Sequence, residues 1–272
     1  MNSVQLADRV CPGLVHPQIR YKTLLRNLLR PEVRWLDLGC GHEVIRPWAL
    51  HRGEEESAFT GAPAMSVGVD RDMAALQSNV CTPHRVAADI QSLPFADDSF
   101  EVVTANMVLE HSENPAALMS EVWRVLRPKG VFVFHTPNKY YPMSVLAALL
   151  PDAVKSRLVA LVSRRQEKDV YPTLFRVNTR SAISAYSVSA GFRIKYWEIL
   201  ETLTFNANRA IFLCYLTLAW LLRHKSLGRF RADYLVMLCK PDVECACKKL
   251  ERSASSNGTR VRPGSPTAHV AP

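Results

Sequence analysis

The sequence predicts an α/β fold built on a doubly wound, mostly parallel sheet. Three observations carry that expectation. Short apolar runs rich in β-branched and aromatic residues alternate with helical patterns through the first half of the chain. An Asp-Leu-Gly-Cys-Gly turn follows the first of those runs directly. The next two runs each close on an acid, Asp70 and Asp89. Strand–helix–strand alternation implies right-handed crossovers, so such strands run parallel.

Taken in order, residues 18–30 read as an amphipathic helix ahead of the first strand, 33–38. Strands follow at 65–70, 84–89, 99–106 and 130–138, with Pro128 and Gly130 marking the turn before the last of these. A helix is expected over 115–126, with Leu118, Val122, Val125 and Leu126 on one face, Asn114 as its N-cap and Pro115 at its first position. Residues 139–191 form a long, partly apolar insertion, and 192–199 and 232–240 read as two further strands. The stretch 51–63 looks like a polar surface loop, and the Ser/Gly/Pro-rich tail over 251–272 is expected to be disordered.

Composition bounds the class. With 272 residues, 48% hydrophobic and 22% charged, the chain is globular and long enough for a substantial core. Its seven cysteines are scattered and odd in number, which points to a reducing compartment, hence a cytoplasmic protein. The first 13 residues lack a basic-then-apolar leader pattern. The net charge of +9 is unevenly placed. Residues 1–150 carry 14 Lys and Arg against 16 Asp and Glu, net −2, whereas 151–272 carry 20 against 9, net +11.

The chemistry sits at the strand ends. Gly39 and Gly41 let the backbone turn tightly and let a ligand approach the main chain, at the edge where open α/β sheets bind ligands. Asp70 can accept both hydroxyls of a ribose, and Asp89 can meet an adenine amino group. Any one such acid could equally be a helix cap. Three in register, counting Asp37, argue for a nucleoside-bearing ligand. A nicotinamide fingerprint would need Gly where Val44 stands, with an acid about 20 residues on, but Asp70 lies 31 after Gly39. No P-loop pattern follows the turn. Cys245 and Cys247 look like half a metal site, but without two further close ligands no metal is expected.

These residues carry a resemblance. Trp35-Leu36-Asp37-Leu38-Gly39-Cys40-Gly41 resembles motif I of class I S-adenosylmethionine-dependent methyltransferases, and Gly68-Val69-Asp70 the acidic motif on their second strand. The run Asp89-Ile90-Gln91-Ser92-Leu93-Pro94-Phe95 with Asp98-Ser99-Phe100, then Leu109-Glu110-His111, then Val125 to Gly130, resembles the type 11 group of that family. The chain departs from the pattern at Glu101, where Asp is usual, and at His42-Glu43, where a small residue is usual. The resemblance implies a Rossmann-like seven-stranded sheet with the last strand antiparallel, a helical lid inserted after strand five, and one methyltransferase domain over 1–250.

It also implies roles. The cofactor would be S-adenosyl-L-methionine, held by Asp37, Gly39, Cys40, Gly41, Asp70, Arg71, Asp89 and Ile90, with Asn106 and Met107 beside the reacting methyl. Asn106 and His111 are the candidate catalytic residues, His111 as a general base for a protonated acceptor. A capping or packing role is the alternative for His111, and burial in the core the expectation for His135. The acceptor is expected to be a small or lipid-like molecule and not nucleic acid. A non-catalytic cofactor-binding partner protein is the other function these motifs allow. The apolar stretch 210–222, basic at both ends, reads either as a helix packed on the sheet between strands six and seven or as an interfacial membrane anchor.

Overall fold

In the computed structural model, residues 3–45, 62–149, 173–202 and 209–242 are described. Seven strands form one sheet: β1 (Arg34–Leu38), β2 (Met65–Asp70), β3 (His84–Ala87), β4 (Phe100–Asn106), β5 (Leu126–Pro137), β6 (Arg193–Leu200) and β7 (Asp233–Cys239). Their order is β3-β2-β1-β4-β5-β7-β6. The first five pair in parallel, and β7 lies antiparallel between β5 and β6, so β7 alone runs against the rest. The sheet switches direction of growth between β1 and β4, which opens a crevice at their carboxyl ends.

Both faces of the sheet are covered, which explains why β1 is buried continuously from Trp35 to Leu38 rather than on alternate residues. On one face Tyr21 and Leu25 of α2 (Pro17–Leu28) pack on Trp35, Val102, Val133 and Leu235. On the other, Leu118, Met119, Val122 and Val125 of α4 (Pro115–Val125) pack on Leu36, Val103 and Phe132. Asn114 caps α4 as its sequence suggests, its side chain accepting from the Ala117 N–H at 3.2 Å. The short α3 (Met73–Ser78) follows β2 and is capped by Asp72.

Four expectations need correction. β5 begins at Leu126, and the turn at Pro128–Gly130 is an excursion within that strand: its register against β4 jumps from Leu126 to Val131. β3 ends at Ala87, so Asp89 stands in the following loop. Within 139–191, α5 (Pro142–Leu149) follows β5, but α6 (Arg180–Ser189) is not part of a lid. Its Ile183 is fully buried in the α4 face of the core. Finally, α7 (Arg209–Leu222) does not pack on the sheet. Its Phe212, Leu216 and Ala219 bury against Ala7 and Cys11, at the end of α1 (Ser3–Val10). Residues 51–61 of the polar loop 51–63, the tail 251–272 and Cys245-x-Cys247 lie outside the described residues.

Candidate functional site

The loop after β1 is shaped by its two glycines. Gly39 has φ +62° and Gly41 φ +51°, a region that costs any residue with a Cβ. A Cβ on Gly39 would also sit 2.5 Å from Val108 Cγ2, whereas one on Gly41 would meet nothing within 4 Å. The chain therefore runs tight against β4's loop at 39 and leaves open space at 41. Asn79 secures the loop from behind, its amide donating to the carbonyl of Gly41 at 2.8 Å.

That loop and β2 share one carboxylate. The Gly41 N–H donates to Asp70 Oδ2 and the Asp72 N–H to Asp70 Oδ1, both at 2.9 Å. Two backbone donors fix the orientation of the group, and each oxygen keeps a further lone pair. Cys40 beside it is no nucleophile. Burial raises its thiol far above the ordinary value, and the Asp37 and Asp70 carboxylates push the same way.

A cavity of about 960 Å³ opens over these groups. Gly39, Cys40, Gly41, Asp70, Arg71, Ile90, Asn106, Met107 and His111 all line it, which brings together nine of the eleven residues singled out from the sequence. Asp37 and Asp89 do not line it. Asp37 is buried, and its Oδ1 accepts the Thr104 hydroxyl at 2.6 Å. Trp35 Nε1 in turn donates to that hydroxyl at 2.7 Å, so Asp37 braces β1 against β4. Asp89 is engaged by the Arg71 guanidinium and by the Gln91 N–H. Partial burial raises its carboxyl, but those two partners outweigh it and hold it below the usual range.

The far wall is a polar network that sequence order conceals. Gln18 at the start of α2 and Asn106 at the end of β4 exchange amide hydrogen bonds of 3.1 and 2.9 Å. Asn106 also donates to the Val44 carbonyl at 3.1 Å, and its Oδ1 lies 2.9 Å from His135 Nδ1. Asn106 thus has a fixed orientation at the cavity. Met107 next to it has φ +59°, a strained conformation for a residue with a Cβ, held by its N–H bonding the His135 carbonyl at 2.8 Å.

Glu110 and His111 close the cavity beyond β4, in a single 3₁₀ turn, Leu109–His111. Glu110 is buried, accepts the Thr136 hydroxyl at 3.0 Å, and stands 3.8 Å from His111 Nε2. Burial pushes its carboxyl above the ordinary value, against the opposing pull of His111. The Glu110 carbonyl accepts the N–H groups of Leu174 and Phe175, which brings Leu174 into the wall. Gln18 and Leu174 carry no local motif and were not legible in advance. Glu110 stands in the Leu-Glu-His run, but nothing local in the sequence announces its burial beside His111.

The arrangement has one rigid carboxylate on backbone donors, an open glycine turn, an apolar edge at Ile90 and a histidine opposite. It suits a ligand with a vicinal diol and a flat ring, next to a second reactant. Comparisons with known proteins agree. Residues 36–134 match the family described as methyltransferase domain. A malonyl-[acyl-carrier protein] O-methyltransferase of Halorhodospira halophila is 34% identical over 134 residues, 48% of this chain and 39% of that protein. A ubiquinone biosynthesis O-methyltransferase of Hahella chejuensis is 29% identical over 154 residues, 56% of this chain and 63% of that protein. The chain thus spans less than two thirds of either curated relative. A solved S-adenosylmethionine-dependent methyltransferase from Methanosarcina mazei shares the fold, with a TM-score of 0.53 at 16% identity over 84% of this chain and 99% of that one.

Proposed function

We propose that this chain, whose residues 36–134 match the methyltransferase-domain family, is a class I enzyme that transfers a methyl group from S-adenosyl-L-methionine to a small-molecule acceptor with an apolar, lipid-like body. The observation that carries the reading is the Asp70 carboxylate, held on two backbone N–H groups at the cavity wall. The residues present fit the cofactor. Asp70 keeps one lone pair on each oxygen for a ribose diol, and the space over Gly41 that no Cβ fills admits the ligand's main body against the backbone. Ile90 and Gln91 edge the cavity where an adenine would lie, so this chain would offer Gln91 where Asp89 was expected.

When bound, S-adenosyl-L-methionine supplies a methyl group already activated on a sulfonium. The protein's work is therefore alignment more than bond chemistry. Holding two reactants in register supplies about 7–11 kcal/mol of barrier lowering. Asn106, fixed by Gln18 and Val44, and the strained Met107 form the wall at the reacting centre. Met107, Val108 and Leu174 give that wall an apolar surface, which supports an acceptor with an apolar body. If the acceptor is a hydroxyl, His111, lining the cavity 3.8 Å from Glu110, takes its proton.

The test is release of S-adenosylhomocysteine from the full chain incubated with S-adenosyl-L-methionine and a panel of fatty-acyl, phenolic and polar hydroxyl compounds. Product with one acceptor class supports the reading. Tight cofactor binding with no product across the panel would favour a binding-only protein.

A further inference from the structure

Helix α7 is apolar nearly all round: Leu222, with Tyr215 and Leu218, packs beside Tyr141 and Ala232, a second face is buried against α1, and a third faces outward. Phe212, Leu216 and Ala219 are buried against Ala7 and Cys11. The third stripe, Leu213, Thr217, Trp220 and Leu221, follows the spacing of a single helix face. It faces outward: Leu213 is 41%, Trp220 56% and Leu221 45% exposed. A shallow groove of about 210 Å³ runs along it, completed by Leu6 and Val10 of α1. Soluble surfaces scatter such residues singly. A contiguous stripe with a groove marks a contact.

Charge identifies the contact. From Leu203 to Ala232 the sequence has no Asp or Glu but five Lys or Arg residues. Arg223, Lys225 and Arg229 are exposed just beyond the end of the stripe, and Arg9 is exposed on α1 beside the groove. Arg223 holds α7 to the start of the chain, donating to the Pro12 carbonyl at 3.0 Å. An apolar stripe with an aromatic at its rim and cations along its border is the pattern of a helix lying in the headgroup region of an anionic bilayer. No helix among the described residues is long and apolar enough to cross a membrane, so contact would be in the plane of the surface.

We infer that the outer face of α7, with the α1 groove, is a docking surface for an anionic lipid bilayer, seated by Leu213, Trp220 and Leu221 and drawn in by Arg9, Lys225 and Arg229. The inference goes beyond the methyl-transfer reading and stands on different residues. It also gives the exposed cations Lys225 and Arg229 an electrostatic partner.

The test is co-sedimentation of the full chain with vesicles of phosphatidylcholine alone and of phosphatidylcholine mixed with phosphatidylglycerol, without cofactor. The expected result is binding to the mixed vesicles only, weakening with added salt. Leu213→Glu with Trp220→Glu should cut partitioning by about tenfold or more, and Lys225→Ala with Arg229→Ala should remove most of the salt dependence. Val188→Glu, at an exposed apolar site on α6, should bind as the parent does, and melting curves should show all variants folded. Absence of binding, or binding indifferent to the α7 pair, overturns the proposal. So does a dimer in solution that the α7 pair dissolves, since the face would then belong to a second copy of the chain. Because no cofactor or turnover is involved, either result leaves the methyl-transfer reading to its own test.

Discussion

Two groups of buried or half-buried acids lie near the same edge of the sheet and are treated in opposite ways. At the cavity, Asp70 meets two backbone N–H donors, and Asp89 meets the Gln91 N–H and the Arg71 guanidinium. Near β6 and β7, Glu201 is 6% exposed, and neither of its oxygens has a hydrogen-bond partner. The closest cation is Arg231, 3.4 Å away. Burial pushes the Glu201 carboxyl up to about 7, with Arg231 pulling it down and Asp233 pushing it up. The difference teaches where the chain spends its backbone donors. Loops after β1 and β2 supply rigid N–H groups that fix the orientation of a carboxylate at the cavity. Glu201, near the C-terminal strands, receives no such support and costs stability when charged.

The contrast can be broken or sharpened by substitution. The largest effect is expected at His111, if the acceptor is a hydroxyl. His111→Gln should lower turnover by about 10²- to 10⁴-fold while leaving cofactor affinity unchanged, read by single-turnover assays beside calorimetry. Unchanged turnover would assign His111 to packing.

Gly39→Ala should come next. It places a Cβ 2.5 Å from Val108 at a φ of +62°, and should destabilise by about 3 kcal/mol in urea unfolding. Adding Val108→Ala should recover the steric part and leave the backbone part. Full recovery would mean that the positive φ is not needed there.

Glu201 tests the other side of the comparison. Its folded value lies above the ordinary 4.5, so its contribution to stability is fully present below about 4.5 and is lost as pH rises to about 7. Glu201→Gln should remove that slope and stabilise the chain at pH 8 by on the order of 2 kcal/mol. His16, the N-cap of α2, has the opposite sign. Burial lowers it to about 4 from 6.5, so its contribution holds above about 6.5 and is lost as pH falls toward 4. Melts of Glu201→Gln and of His16→Asn, compared with the parent across this range, should tilt in opposite directions. The smallest effect belongs to Asp89→Asn. Asp89 itself does not line the cavity, and its pair with the cavity-lining Arg71 is solvent-accessible, so cofactor affinity should change by no more than about threefold.

How much was legible follows from the range of the interactions. Gly39, Gly41 and Asp70 were readable because tight turns and strand-end carboxylates are local backbone chemistry. The parallel core of the sheet was readable from the same alternation. That Asp37 and Asp89 stand outside the cavity wall is not legible, because a side chain's direction depends on what stands beside it, here Thr104 and Arg71. The partnership of Gln18 with Asn106 spans 88 positions, and no local pattern carries it. The same holds for α7. Its sequence was read as a helix for the sheet or for a membrane surface. The structure gives its inner face to α1, a contact between opposite ends of the chain.

The central claim is that the cavity at the ends of β1, β2 and β4 binds S-adenosyl-L-methionine through the Asp70 carboxylate. Calorimetry of the full chain and of Asp70→Ala with that cofactor tests it most directly. Losing charge-assisted hydrogen bonds to a ribose should weaken binding by about 30- to 100-fold, with the melting curve nearly unchanged. No binding by the parent chain, or equal binding by the variant, would contradict it.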